Sequence, residues 1–420
     1  MLSGAIVSLS NERLLHKILP YFFVVIFITT AVGALSGYLE HNSWKIGDWL
    51  VNYQGGIVRR GLLGELIYNL SQFTHINPGI LVFLFQTLFY AVFFVFSYSL
   101  LKRQHSLLPY ALLIFSPFIF TFQINDLQGG YRKEIIYFAV LAFIVWSAKT
   151  SEHKIFEKIF YTTLLLYPAI ILTHEMLAVF LPYLLIVYIS VTNLTKNKII
   201  TIALFLLPSI VSFFVSIYYS GTTSQVTEIF NSIAREGYTI VGGAIESIDK
   251  SATYGYGRVI KSIDEKHYLI YYLQVLLFSL IAYIPIGQNL RLVFKQKLSI
   301  VLVLISILGT TVLFVVAIDW GRFIYIHLVS LFLLSFISTR LISSDVKRIN
   351  EEVSSGKKLI TYKMLVFFIF YSLFWHIRHS GSPIQDALSY KRTNVVAFAK
   401  PYKKTLLLLW DFGLQNTSKK

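Results

Sequence analysis

Apolar and polar positions along this chain segregate into long blocks rather than alternating within them. Eleven stretches of about fourteen to twenty-four nearly uncharged residues recur, at 18–39, 78–101, 106–123, 135–148, 159–173, 176–192, 199–219, 268–287, 298–317, 323–338 and 360–377. The runs are continuous and rich in Leu, Ile and Phe, and the ten-residue alternating segments of a membrane barrel are absent. They therefore predict membrane-spanning helices. The expected fold class is all-α: a single integral-membrane domain over residues 1–420, built as a polytopic bundle of about eleven spans. The first run, Ile18 to Leu39, follows Arg13, His16 and Lys17 as a signal peptide would, but it is long enough to remain as a span.

The polar blocks set an orientation. With the N-terminus in the cytoplasm, that side receives Lys102 and Arg103; Lys149, Lys154 and Lys158; Lys196 and Lys198; Arg291, Lys295 and Lys297; and Arg340, Lys347, Arg348, Lys357 and Lys358. Every turn on that side obeys the positive-inside rule. The opposite face receives residues 40–77, 124–134, the His174-Glu175 junction, the segment 220–267, the Asp319 to Arg322 junction and the tail 378–420. Within 220–267, Val226, Ile229, Phe230, Ile233 and Ala234 recur at helical spacing, with Thr223 or Ser224 as N-cap and Gly237 as C-cap. That segment is expected to form one or two helices lying on the outer face.

Composition narrows the class. A hydrophobic share of 55%, a charged share of 14% and a mean hydropathy of +0.65 exclude a soluble globular chain. The net charge of +16 would indicate nucleic acid in a soluble protein. Here much of it sits in short turns where it sets topology, so no nucleic-acid partner is expected. Cysteine is absent, and there is no GxxxxGK[ST] loop, HExxH, GxSxG or Cys/His cluster. Nucleotide hydrolysis, zinc proteolysis and serine hydrolysis lack their parts, and neither cofactor nor metal is expected.

What remains is a set of ionisable clusters, all on the predicted outer face. Residues 58–70 read as an amphipathic helix in the interface, with Val58, Leu62, Leu63, Leu66, Ile67 and Leu70 on one side, Gly55 and Gly56 before it, and Arg59 and Arg60 in its first turn. Cations are disfavoured at a helix N-terminus unless an anion sits beside them, so the pair reads as a phosphate site or as a headgroup anchor. A second Gly-Gly, Gly129-Gly130, precedes Arg132 and Lys133, with Asp126 nearby; these two cations bind an anion or snorkel to headgroups. His174 and Glu175 lie between two tightly spaced spans and form either an interfacial pair or a tuned general base. Asp319 and Arg322 stand three apart, where they pair with each other or Arg322 holds a phosphate with Asp319 orienting it. Tyr254, Tyr256 and Arg258 alternate with glycines in a turn-like stretch that suits sugar stacking.

In span count, interfacial helix after the first span, long late outer segment and outer-face arginines, the chain resembles the Wzy-type O-antigen and capsular polysaccharide polymerases, and more broadly the GT-C glycosyltransferases. The likeness covers the whole chain as architecture and rests on few specific residues. It implies a metal-independent transfer of a growing glycan from a polyprenyl-diphosphate carrier to a carrier-linked repeat unit, at the outer face of a bacterial inner membrane. Membrane lipid surrounds such a protein, and a flippase and a chain-length regulator are its implied partners. Arg59, Arg60, Arg132, Lys133 and Arg322 would hold the diphosphate, with Asp126 and Asp319 orienting. His174 or Glu175 would be the base, and Tyr254, Tyr256 and Arg258 would hold sugar. Asp48, after the first span, resembles the early-loop Asp of GT-C enzymes that take monophosphate donors, which implies a single-sugar transferase as the alternative. A lipid-linked oligosaccharide flippase is a further alternative, opposed by span interiors almost free of charge.

The orientation is testable directly. Reporter fusions after Arg103, Lys158, Lys198, Lys297 and Lys358 should read cytoplasmic, and fusions near Gln128, Ser224 and Ser380 external. An external signal at Lys198 or Lys297 would break the map.

Overall fold

The computed structural model describes residues 2–337, 362–380 and 394–417. The expected cytoplasmic turn from Arg340 to Lys358 lies outside these residues, as do the edges of the two flanking spans and part of the outer tail. Among the described residues the regular structure is helical, without strands. Five helices among the described residues are long and apolar enough to cross a membrane: Glu12–Leu39 within α1 (Leu2–Leu39), α3 (Pro78–Lys102), α7 (His153–Thr173), α9 (Lys196–Tyr218) and α14 (Lys297–Val316). A sixth arises if α12 (Tyr268–Ile281) and the piece Ile284–Val293, which contains α13 (Gly287–Val293), count as one span bent by 48°. Shorter helices complete the bundle: α6 (Glu134–Thr150), α8 (Leu181–Val191) and α15 (Trp320–Leu334), with α16 (Tyr362–Leu373) and α17 (Asn394–Thr417) from the C-terminal part. α3 packs against both α1 and α6, α7 against α9, α14 against α8, and α17 against α1.

The distribution of polarity inside these helices identifies their solvent. α9 buries Ser209, Ser212 and Ser216 while Leu204, Leu207, Val211, Phe214 and Ile217 face outward. α14 likewise buries Ser299, Ser306 and Thr310 and exposes Leu304, Ile305, Leu308 and Val312. In water this pattern would be inverted; in lipid, small polar residues allow close helix approach and apolar ones meet acyl chains. The chain is a membrane-embedded helical protein.

These helices account for five or six of the eleven expected spans; the runs 135–148, 176–192 and 323–338 fall on shorter helices, and 106–123 departs furthest. Residues 106–123 do not make one helix but a 3-10 turn at Leu108–Tyr110, the short α4 (Ala111–Ile114) and α5 (Phe122–Asn125). Proline explains the breaks: Pro109 and Pro117 remove backbone donors and restrict the residue before each. The segment still runs lengthwise, since Leu107 N donates to Glu12 near one end of α1 (2.9 Å) and Gln123 to Thr30 further along it (2.9 Å). Those contacts lie about 27 Å apart along the α1 axis.

The polar segments fold over one end of the bundle. α2 (Leu62–Thr74) starts later than its apolar pattern implied, so Arg59 and Arg60 precede it in a loop rather than occupying its first turn. The segment 220–267 supplies two helices, α10 (Thr223–Arg235) and α11 (Ala252–Lys266). The cap of α10 is Thr222, one residue before the expected pair, in a reciprocal capping box with Gln225. Its C-cap is Glu236, and Gly237 follows at φ +73. Tyr254, Tyr256 and Arg258, expected in a turn, lie on α11.

Gly64 is a tight junction of this cap, because a Cβ there would sit 1.8 Å from the Val51 carbonyl oxygen. Gly64→Ala must push α2 off the Gly47–Leu50 turn. We expect it to destabilise the protein by about 1–3 kcal/mol, the usual range for overpacking, read as a lowered thermal midpoint in detergent. An unchanged midpoint would contradict this contact.

Candidate functional site

Four separate segments deliver charged groups to the space under α11. The first is Arg59-Arg60. Arg59 N donates to the Tyr219 carbonyl (2.8 Å), and Arg60 adopts a left-handed backbone (φ +67) that a non-glycine residue holds only where its surroundings impose it. The imposition is visible: Lys133 Nζ donates to the Arg60 carbonyl (2.9 Å) and to the Thr173 carbonyl (3.2 Å). Lys133 thus ties two segments together through their backbones and does not line the cavity.

Arg60 then reaches Glu175. Its Nε donates to both carboxylate oxygens (3.0 Å each) and its Nη2 to Oε1 (2.6 Å), a bidentate fork. Glu175 follows the end of α7 at the extended residue His174, whose φ is −161. His174 places Nδ1 3.6 Å from Glu175 Oε2 and Nε2 4.0 Å from Glu134 Oε1. Glu134 opens α6 and accepts a hydrogen bond from Arg322, which also lies 3.4 Å from Asp319. Asp319, Arg322 and Glu134 are thus one ion cluster and Arg60 with Glu175 another, and the His174 imidazole stands between them, so that the six residues line up as one chain of polar neighbours. The sequence-derived pairing of Asp319 with Arg322 is present; Glu134 was missed as a site residue, although it directly follows the Arg132-Lys133 cluster.

Arg132 approaches the same space from a braced loop. The Tyr131 carbonyl accepts from Trp49 Nε1 (2.8 Å) and Gln86 Nε2 (3.1 Å), and the Gly130 carbonyl from Tyr90. The guanidinium lies 3.3 Å from Asp48 and 5.0 Å from the centre of the Trp44 ring. Asp48 is 1% exposed and sits behind Arg132, away from the cavity. Burial alone would raise its carboxyl, but Arg132, with Lys133 and His174, holds it well below the ordinary carboxylate range. An acid so firmly ionised and so enclosed makes a counter-ion rather than an accessible base.

These groups surround a cavity of about 270 Å³ lined by Arg59, Arg60, Arg132, Lys250, Arg258 and Arg322 against only Glu175 and Asp319, with His174 and Tyr254 in the wall. Buried atoms of several of these residues lack a hydrogen-bond partner: Nε of Arg59, of Arg132 and of Arg322, and Nδ1 of His174. Arg59 Nη2 donates to the Ser247 (3.1 Å) and Ile248 (2.9 Å) carbonyls, so each of these guanidinium groups is partly engaged and keeps an unfilled Nε, and their charge around one space suits an anion. His174 is 2% exposed; burial first, and then Arg60, push its pKa down, so the imidazole is neutral at neutral pH and free to accept a proton.

Other expected residues fall elsewhere. Asp126 lines a different cavity, where it pairs with His379 at 2.6 Å. Tyr256 is half exposed on α11 and outside the lining. The paired glycines are not phosphate cradles: a Cβ on Gly55 would meet the Gln225 backbone at 2.9 Å and one on Gly130 the Gln123 Cα at 2.1 Å, so they serve close packing. No protein-family model, curated protein or solved structure matches the chain.

A pH titration of the His174 imidazole by NMR should give a midpoint below the ordinary 6.5. The neutral base is then present throughout the neutral range and is lost only as pH falls through that lowered value. A midpoint at or above 6.5 would contradict the buried, cation-flanked environment.

Proposed function

We propose that this chain is an integral-membrane glycosyltransferase that polymerises polyprenyl-diphosphate-linked oligosaccharide repeat units, as Wzy-type polymerases do for O-antigen or capsule. The observation that carries this reading is the convergence of six cations and a neutral histidine on one cavity, with the Nε of three of the arginines unpartnered. A diphosphate leaving group needs several positive, forked donors, because the charge it gains at the transition state is where stabilisation counts most.

The residues divide the work as follows. Arg59, Arg132 and Arg322 receive the carrier diphosphate, while Arg60 is committed to Glu175 and keeps that wall in register. The acceptor hydroxyl oxygen forms a bond to the anomeric carbon of the donor glycan, and the bond from that carbon to the diphosphate oxygen breaks with its electron pair going to the diphosphate. His174 takes the hydroxyl proton, and the imidazolium so formed is stabilised by Glu175 and Glu134 on either side. Tyr254 and Arg258, stacked at 5.9 Å on α11, offer an aromatic face and a donor to the sugar. Asp48 and Lys133 act through Arg132 and through the Arg60 backbone, respectively.

Loss of the protein distinguishes this reading from its rivals. A polymerase joins units that other proteins built and flipped, so its deletion should leave glycans capped by one repeat unit. Long chains lacking one sugar would indicate a single-residue transferase, and carrier-linked units trapped on the cytoplasmic face a flippase; either result overturns the assignment. His174→Ala should reproduce the deletion, since general-base assistance is worth about 10² to 10⁴ in rate. Wild-type chain lengths in that strain would remove His174 from the chemistry.

A further inference from the structure

A second cavity, of about 530 Å³, lies on the other side of the loop that carries Arg132. That loop and the segment after α1 line both spaces: Arg132 and Trp44 line the first, whereas Asp126 and Lys45 line the second. The remaining wall is residues 376–380 together with one face of α17. That wall is fixed by its backbone. Tyr272 donates to the carbonyls of Arg378 (3.2 Å) and His379 (3.1 Å), Tyr271 donates to the His376 carbonyl (3.3 Å), and Gly321 N donates to the His379 carbonyl (3.2 Å).

The lining is strongly cationic. Lys45, Arg378, Lys400 and Lys404 face it, and Asp126 is the one carboxylate among its described lining residues. The Asp126 oxygens accept from Gln128 N (3.2 Å), Gly129 N (2.8 Å), His379 N (2.5 Å) and His379 Nδ1 (2.6 Å), so its hydrogen bonds go to these groups and none goes to Lys45. Lys404 pairs with Glu40 at the rim. Lys45 is 1% exposed and donates only to neutral oxygens, the Gly33 carbonyl (3.3 Å) and the Ser36 hydroxyl (3.2 Å). A buried ammonium without a carboxylate partner is costly unless an anion arrives.

The surroundings indicate the form of that anion. Val396 and Ala397 of α17 line the cavity, and the later turns of the same helix present Leu406, Leu407, Leu409 and Trp410 outward. An apolar track thus leads away from the cationic pocket along α17, which packs on α1. A phosphate carried on a hydrocarbon chain matches both parts, its head among the cations and its tail along the helix. We propose that this second cavity seats the phosphate group of a membrane lipid, separately from the first. The seat does not require that the first cavity transfer a glycan.

The purified full-length chain in detergent should bind two anionic lipids by native mass spectrometry when titrated with polyprenyl diphosphate, and the double variant Arg378→Gln, Lys400→Gln should lose one of them. Loss of charge-assisted contacts weakens that second binding by about tenfold or more. Phosphatidylglycerol titrated in parallel separates the sources: a loss confined to polyprenyl diphosphate identifies the carrier lipid, and a loss with both identifies a general phosphate headgroup seat. Unchanged binding of both lipids in the folded variant overturns the proposal. Should the variant fail to fold, hydrogen exchange on the wild-type chain decides. Either anionic lipid, but not uncharged diacylglycerol, should slow exchange at residues 376–380 and 396–404, and no slowing with either overturns it. The His174→Ala strain reads glycan transfer alone, so failure of one reading leaves the other standing.

Discussion

The chain of polar neighbours from Asp319 through Arg322, Glu134, the neutral His174 and Glu175 to Arg60, ionic on both sides of the imidazole, is the constraint on which the rest of the structure depends. Removing an ion from water costs several kcal/mol even after relaxation, and the attraction of a partner offsets this only with good geometry. Each member here is therefore held by its neighbours: Glu134 satisfies Arg322, and Glu175 takes the Arg60 fork on three contacts. Truncating one partner of such a pair leaves an uncompensated charge, at about 3–5 kcal/mol. The four segments that carry the chain are consequently locked together even though each lies far from the others in sequence.

That requirement explains features with no chemistry of their own. The left-handed backbone at Arg60 is tolerated because Lys133 holds its carbonyl, and the same ammonium fixes Thr173 beside His174. Burial draws the Lys133 ammonium down to about 8, although Asp48 opposes that shift. The glycines at 55 and 130 let backbones approach where any side chain would intervene. The inverted polarity of α9 and α14, serine inside and leucine outside, lets the spans close up beneath a polar cap.

The two cavities share this frame. Asp319–Arg322 bounds the first, and Gly321 in the same stretch hydrogen-bonds the His379 carbonyl that bounds the second. A displacement of one wall therefore moves the other. The balance within each is similar, many cations against few available carboxylates, and each is built from residues that precede or follow an apolar helix. Such positions combine access to lipid with backbone donors and charged side chains.

Block-wise hydrophobicity was enough to determine helical class, membrane residence and the positions of the long spans, because an uncharged run of that length has no other stable setting. It was also enough to pick out Arg59, Arg60, Arg132, His174, Glu175, Asp319 and Arg322, since charges beside spans are scarce and conspicuous. Only the tertiary structure decided their partners. Pattern could not reveal that Arg60 is spoken for by Glu175, that Glu134 joins Arg322 to His174, or that Asp126 belongs to a second cavity with His379. Those pairings span from 40 to 253 residues, and nothing in local spacing encodes them. Nor could periodicity separate a helix from the proline-broken run at 106–123, or tell glycines that cradle an anion from glycines that let two backbones touch. Local periodicity records which surface a residue faces, whereas the partner across that surface is set by how the helices pack.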